Sequence, residues 1–259
     1  MTGSLKDIKA FLFDLDGTLH IGNKAIDGAA ETIRILKEKG FPCRFVTNTT
    51  TKTLSELHSQ MINIGLPVLK EEIINTTESA ILYLRKIKNP TCFFVLNDNI
   101  KEEFSEFKED TVNPEYIIIG DIGDRWDYAL LNKIFIMMMN GSNLVALHKG
   151  RYWMTEEGLQ MDIGAFITGL EYVTGKEAIV LGKPSQKFFL TAINELNLPF
   201  ENIAMVGDDI NNDVSGAQAL GMTGILVRTG KYKKEYISSS SIKPDLIIDS
   251  VKDIITLWS

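Results

Sequence analysis

The first stretch whose residue types could do chemistry is Asp14-Leu15-Asp16-Gly17-Thr18. Two carboxylates two positions apart at the end of a strand can face the same side. They repel one another, and a divalent cation is the natural compensation. Gly17 permits a sharp turn and a close approach of backbone to a ligand. Alone, the motif reads equally well as a solvated turn rich in Asp and Gly. Thr47-Asn48 offers a hydroxyl and an amide that can donate to an oxyanion without adding charge. Alone, it reads as a polar loop running into the threonine-rich 49–53. Lys183, in Gly182-Lys183-Pro184, is a point charge on a rigid turn and suits phosphate, although loop lysines are common. Gly207-Asp208-Asp209, followed by Asp213, crowds carboxylates at one place. Asp213 also suits a helix start, but neighbouring buried acids are costly without a cation.

The elements that must position these residues alternate. A short apolar run, 10–13, reads as a buried parallel strand ending in the first acidic motif. A helix over 29–39 follows, stopped by Gly40 and Pro42. A second strand, 43–47, ends at Thr47, and a helix over 54–64 is closed by Gly65. The rhythm returns late in the chain. The spacing predicts a helix over 186–196 with Ser185 as N-cap, a strand over 203–206, a helix over 213–220, and strands over 224–227 and 246–248. Such alternation implies a parallel sheet with helices on its faces. The carboxyl edge of that sheet is where α/β proteins place ligands, and three of the motifs fall at strand ends.

The middle of the chain carries its own set. Helices are expected over 76–86, 130–139 and 164–172, and strands over 92–96, 116–119 and 144–147. We therefore expect a core made of 1–76 plus 181–259 and an inserted domain over 77–180. The serines of 238–241 read as a mobile surface loop.

Composition narrows the function. The 259 residues suit a core with one insertion, and 44% hydrophobic content is that of an ordinary globular protein. A net charge of −7 argues against a nucleic-acid partner, which calls for clustered Lys and Arg. It leaves room for a small phosphorylated substrate, since a lysine and a metal ion can reverse the local field. The two cysteines, Cys43 and Cys92, give no disulfide framework and fit a reducing compartment. No apolar run approaches the roughly 20 residues that span a bilayer, and the N-terminal run is too short for a secretion signal. A cytoplasmic protein without membrane contact is expected. Acids, donors and a lysine at three strand ends and one loop resist four separate bland explanations, and together they point to phosphoryl transfer.

In this order the residues resemble the four motifs of the haloacid dehalogenase superfamily. Asp14-Leu15-Asp16-Gly17-Thr18 matches the first, Thr47-Asn48 the second, Lys183 the third, and Gly207-Asp208-Asp209 with Asp213 the fourth. The long interval lies between the second and third motifs, which is similar to subfamily IIA with a type-two cap. Phe45-Val46-Thr47-Asn48-Thr49-Thr50, Leu170-Glu171-Tyr172, Val180-Leu181-Gly182-Lys183-Pro184 and Gly216-Ala217-Gln218 also resemble that subfamily.

The resemblance implies an α/β fold, a Rossmann-like parallel-sheet core with an inserted α/β type-two cap that closes over the site. It implies a phosphatase in which Asp14 is the nucleophile and forms an aspartyl phosphate. Asp16 would be general acid and base, and Thr47, Asn48 and Lys183 would bind the phosphoryl oxygens. Mg²⁺ would be held by the Asp14 and Asp208 carboxylates and the backbone carbonyl of Asp16. Asp209 and Asp213 would stand behind, positioning Lys183 and metal-bound waters. Leaving-group contacts are expected from 97–99 and 148–158 in the cap, and a homodimer through the cap fits the group. A dehalogenase is disfavoured by Asp16, since carbon–halogen cleavage needs no proton for the leaving group. A phosphomutase, or a non-catalytic ligand-sensing protein of the same fold, remains open.

Overall fold

The computed structural model describes residues 7–155 and 158–257. Its strands are β1 (Ala10–Asp14), β2 (His20–Ile21), β3 (Lys24–Ala25), β4 (Cys43–Thr47), β5 (Ile73–Asn75), β6 (Cys92–Val95) and β7 (Tyr116–Ile119), followed by β8 (Asn143–Ala146), β9 (Tyr152–Thr155), β10 (Gly158–Met161), β11 (Ile179–Val180), β12 (Ile203–Gly207), β13 (Thr223–Val227) and β14 (Leu246–Ile248). Its α-helices are α1 (Ala29–Glu38), α2 (Leu54–Asn63), α3 (Thr76–Lys86), α4 (Asp98–Glu103), α5 (Tyr128–Met139), α6 (Gly164–Thr174), α7 (Gln186–Ile193), α8 (Ser215–Gln218), α9 (Lys234–Ser239) and α10 (Asp253–Leu257). The chain divides into two compact units. One takes the described residues up to Thr47, Leu54–Ile74 and those from Lys183 on; the other takes Asn48–Thr53 and Asn75–Gly182.

The first unit is built on a six-stranded sheet of order β14-β13-β12-β1-β4-β5. The pairs from β14 to β4 are parallel, with Phe13 opposite Val206 on one side and Phe45 on the other. Every residue of β1 is buried, because apolar clusters cover both faces of the sheet. Phe11, Phe13, Phe45, Val206 and Ile225 meet α1, α2 and α10 on one face. Ala10, Leu12, Val46 and Met205 meet α7 and α8 on the other. The Phe13 and Phe45 rings stack at 6.0 Å between centroids, which contributes about 0.5–1.5 kcal/mol beyond the area buried. The chain leaves β1 toward β4 on one side and later enters β12 on the other. The strand order therefore reverses between β1 and β12, where open α/β sheets form a crevice at the carboxyl ends of their strands.

The second unit carries a four-stranded parallel sheet of order β11-β8-β7-β6. Its side chains alternate strictly. Phe93, Val95, Ile117 and Ile119 pack beneath α5 and α6, while Phe94, Ile118 and Val145 pack with Leu84 of α3 and Phe104. A two-stranded sheet, β9 with β10, is added.

Several elements depart from the sequence reading for local reasons. The helix expected over 213–220 is a π-helical turn, Ile210–Val214, followed by the short α8. The Asp209 side chain accepts from the amides of Asn211 and Asn212, which starts the turn earlier than Asp213 would. Helix α5 begins at Tyr128 because Asp127 caps it, accepting from the Leu130 amide at 2.7 Å. Ser185 does stand at the N-cap of α7, but its side chain makes no capping bond. The serines expected to form a loop contribute Ser238 and Ser239 to α9, where the Ser238 hydroxyl donates to the Lys234 carbonyl at 2.8 Å. Among the described residues, no helix is long and apolar enough to cross a membrane.

Candidate active site

Asp14 is the last residue of β1, buried to 7% exposure. One carboxylate oxygen, Oδ1, accepts from the Lys183 ammonium at 2.5 Å, and the Thr18 hydroxyl lies 3.5 Å from Oδ2. Lys183 follows β11 and is also buried. Its Nζ stands 2.7 Å from Asp213 Oδ1 and 3.5 Å from the Val46 carbonyl, near the end of β4. The lysine is thus pinned between two carboxylates from β1 and the π-turn. Asp208 follows directly on β12, and its Oδ2 accepts from the Lys231 amide at 2.7 Å. Asp213, buried to 1% exposure, also accepts from the Asp209 amide at 3.1 Å. Asp209 serves the turn and pairs with the Lys231 ammonium at 3.3 Å.

The remaining residues singled out from sequence are placed differently. Thr47 is buried at the end of β4. Asn48 is the first residue of the other unit, and its side-chain oxygen lies beside Gly182. The Asp16 carboxylate is 65% exposed and faces the buried His20 imidazole at 3.6 Å. His20 is held in turn by Nδ1 against the Gly22 carbonyl at 2.9 Å. Of the two segments expected to contact the leaving group, Asn97 is engaged by Arg125 and by the Asp121 carbonyl, and Asn99 donates to the Thr51 carbonyl. His148 is buried against Asp162 at 2.8 Å. Residues 156 and 157 of the second segment lie outside the described residues.

Burial and crowding set the charges. Burial pushes Asp14 well above the usual carboxylate range; Lys183 draws it down, and Asp213 and Asp208 push it further up. Burial and the charge of Asp213 push Asp208 up to about 7. Asp213 is raised by burial against the pull of Lys183. Burial works against the Lys183 ammonium, yet Asp14 and Asp213 outweigh it and keep the lysine protonated. Asp209 is also penalised by burial, but Lys231 and two backbone amides hold it below the usual range.

Four carboxylates, those of Asp14, Asp208, Asp209 and Asp213, face two ammonium groups, those of Lys183 and Lys231. With all four ionised, two negative charges are in excess. Asp14, Asp208 and Asp213 can each place one oxygen within 4.8 Å of the others. Hard oxygen donors carrying that excess fit a divalent cation. The Asp16 side chain stands outside this cluster, while Asp213, expected only to support it, stands within.

The sequence reading missed the turn after β13. The Thr229 hydroxyl donates to the Gly17 carbonyl at 2.5 Å, and the Lys231 amide is the donor to Asp208. The signal was present: 224–227 read as a strand, and Thr229-Gly230 is polar residue and glycine at its carboxyl end, as in the other motifs.

The model of haloacid dehalogenase-like hydrolases matches residues 11–108, and a second, described as "HAD-hyrolase-like", matches 180–254. Haloacid dehalogenase-like hydrolase domain-containing protein 2 of Mus musculus is 38% identical over 87% of this chain and 86% of its own. The phospholysine phosphohistidine inorganic pyrophosphate phosphatase of Bos taurus is 33% identical over 98% of this chain and 95% of its own. Among solved structures, the 4-nitrophenylphosphatase of Thermotoga maritima superposes with a TM-score of 0.91 at 25% identity, covering 98% of this chain and 99% of that one. The chain belongs to the haloacid dehalogenase-like hydrolase family. Its class of activity is that of a phosphohydrolase.

Proposed function

We propose that the chain is a magnesium-dependent phosphatase acting on a small phosphorylated metabolite, a phosphoamino acid or pyrophosphate, by way of a phosphoryl group carried on Asp14. The observation that carries this reading is the buried triangle of Asp14, Lys183 and Asp213 with Asp208 in the same cluster. A carboxylate that must attack an anionic phosphoryl group needs to be desolvated, aimed and paired with a cation, and Asp14, buried and held against Lys183, meets all three.

In the proposed reaction an Asp14 oxygen forms a bond to phosphorus as the bond to the leaving oxygen breaks. The Asp16 carboxyl, mostly exposed beside the Asp14 segment, gives its proton to that leaving oxygen. It then takes a proton from the water that attacks the aspartyl phosphate, which releases phosphate and restores Asp14. Lys183, Thr47 and Asn48 hold the phosphoryl oxygens as charge develops. Asp213 positions Lys183, and Asp209 holds Lys231. When bound by the Asp14 and Asp208 carboxylates and the Asp16 main-chain carbonyl, magnesium supplies the charge compensation that lets two anions meet.

The names of the relatives supply pyrophosphate, phospholysine and phosphohistidine as candidate substrates, and 4-nitrophenyl phosphate as an assay substrate. The intact set Asp14, Asp16, Lys183 and Asp208 weighs against a purely sensing role. Phosphate release from 4-nitrophenyl phosphate is expected to fall by at least ~10² on exhaustive chelation, since a catalytic metal contributes several kcal/mol. Mg²⁺ should restore it and Ca²⁺ should do so poorly, because its bonds are longer and its geometry looser. Undiminished release after chelation would refute the metal site. Absence of release from a whole panel of phosphates, with Mg²⁺ present, would favour the ligand sensor.

The inserted unit is proposed to select the substrate. It is also proposed to carry a homodimer contact, supported by the exposed Tyr128, Ile136 and Met139 of α5 and Tyr172 and Val173 of α6. Light scattering on the purified chain should read twice the monomer mass, and a monomer at micromolar concentration would remove that contact. The buried free cysteines Cys43 and Cys92 support a reducing, cytoplasmic setting.

A further inference from the structure

The turn that follows β13 touches two of the proposed catalytic segments at once. The Thr229 hydroxyl donates to the carbonyl of Gly17, within the first acidic motif, at 2.5 Å. Two residues on, the Lys231 amide donates to Asp208 Oδ2 at 2.7 Å. Between them Gly230 has φ +60°, in the left-handed region, and Gly17 opposite has φ +85°. A Cβ on Gly230 would overlap Asp208 Oδ2 and stand 2.7 Å from the Gly17 Cα. A Cβ on Gly17 would likewise run into the Asp208 carboxylate and stand 3.0 Å from the Gly230 Cα. The Asp208 carboxylate therefore sits in a slot whose two walls are bare glycine backbone, one wall being tied to the other by the Thr229 hydroxyl.

This slot decides what Asp208 can offer. A carboxylate has two oxygens, each with two acceptor directions. Here Oδ2 is committed to a backbone amide and hemmed in by both glycines, so the carboxylate plane is fixed on folding rather than on binding. Among the described residues nothing donates a hydrogen bond to Oδ1, which leaves that oxygen for the cluster. Groups that orient the ligands of a metal in this way typically change affinity by about 10–100-fold when removed.

We infer that Thr229 and Gly230 are positioning residues for the divalent cation: they hold Asp208 in its ligating orientation and lock it to the Asp14–Gly17 segment. The inference rests on the reading of Asp208 as a ligand proposed above.

The test is a thermal-shift titration of the full-length chain with Mg²⁺ alone, and with Mn²⁺ alone, in wild type, Thr229→Val, Thr229→Ser and Gly230→Ala. No substrate is present, so the readout is independent of turnover. Thr229→Val keeps the shape and loses the donor, while Thr229→Ser keeps the donor. The expected result is a metal-free melting temperature close to wild type for both threonine variants. The half-saturating metal concentration should rise about tenfold for Thr229→Val and stay within about twofold for Thr229→Ser. Gly230→Ala should weaken binding more than Thr229→Val; should it fail to fold, the threonine pair decides. Equal metal affinity in wild type and Thr229→Val would overturn the inference, and so would a loss in Thr229→Ser as large as that in Thr229→Val. A wild type that shows no metal-dependent shift would overturn the cation reading of the site itself, a failure recognisable before any variant is compared.

Discussion

Asp14→Asn is expected to lower phosphate release by on the order of 10⁴ or more, as loss of a covalent nucleophile typically does. The amide keeps the shape of the side chain but cannot carry the phosphoryl group. The same substitution removes one carboxylate from a site where burial and two neighbouring acids already hold Asp14 well above its usual range. Lys183 keeps its other partner, Asp213, at 2.7 Å. The metal-free melting temperature should therefore be no lower than that of wild type. Loss of activity together with unchanged or raised stability is the signature of a functional group that the fold tolerates rather than needs. Asp16→Asn makes the contrast. Its carboxylate is mostly exposed, its main-chain carbonyl survives, and its loss should fall hardest on substrates with poor leaving groups. Steady-state kinetics on one aryl and one alkyl phosphate, with melting curves for both variants, separate the roles. An Asp14→Asn enzyme within tenfold of wild type would exclude the covalent route, and equal losses on both substrates in Asp16→Asn would exclude Asp16 as general acid.

The strands that carry the acids were legible because parallel strands buried on both faces read as unbroken apolar runs. β1 and β12 are each such a run with polar residues at its end, and β4 is one broken only by the half-buried Arg44. Helix α3 was equally legible: the Asn75 side chain accepts from the Glu78 amide, and the helix runs over the residues its spacing predicts. The short pairs were not. β2 with β3 is two residues against two, too few for a periodicity to show. The π-turn was hidden for a different reason. Its residues 210–214 carry no pattern of their own, and their conformation comes from Asp209 capping two amides while Asp213 reaches Lys183. That ion pair joins residues 30 positions apart, so nothing local announces it. The division of work among the acids was legible by type but not by partner. All of Asp208, Asp209 and Asp213 stood out as chemically suspect, but only the geometry shows that Asp209 serves Lys231 while Asp213 serves Lys183. The turn at Thr229 escaped because a hydroxyl and a glycine are ordinary in loops, and their meaning depends on Gly17, more than two hundred residues earlier in the chain.

Lys183→Met should cost on the order of 10³ in rate, and it should do so through two separable effects. The first is catalytic. Methionine fills a similar volume but offers no donor to a phosphoryl oxygen, and removal of one such donor typically costs about 10²–10³, with the lost charge adding to it. The second is electrostatic and appears without substrate. In wild type the Lys183 ammonium lies 2.5 Å from Asp14 and 2.7 Å from Asp213, all three buried. Removing it leaves two buried carboxylates with no cation, a change that costs about 3–5 kcal/mol while they stay ionised. They can escape that cost by binding protons, so their titration in the folded state moves further up. The sign follows from linkage. An acid raised in the folded state binds more protons there than in the unfolded chain, so stability falls as pH rises from about 4 toward the raised value. Metal-free Lys183→Met should thus be close to wild type near pH 5 and clearly less stable near pH 8. Melting curves in chelator at both pH values test this. A stability difference from wild type that does not widen between pH 5 and pH 8 would show that Lys183 does not balance Asp14 and Asp213, and the charge balance proposed for this site would be wrong.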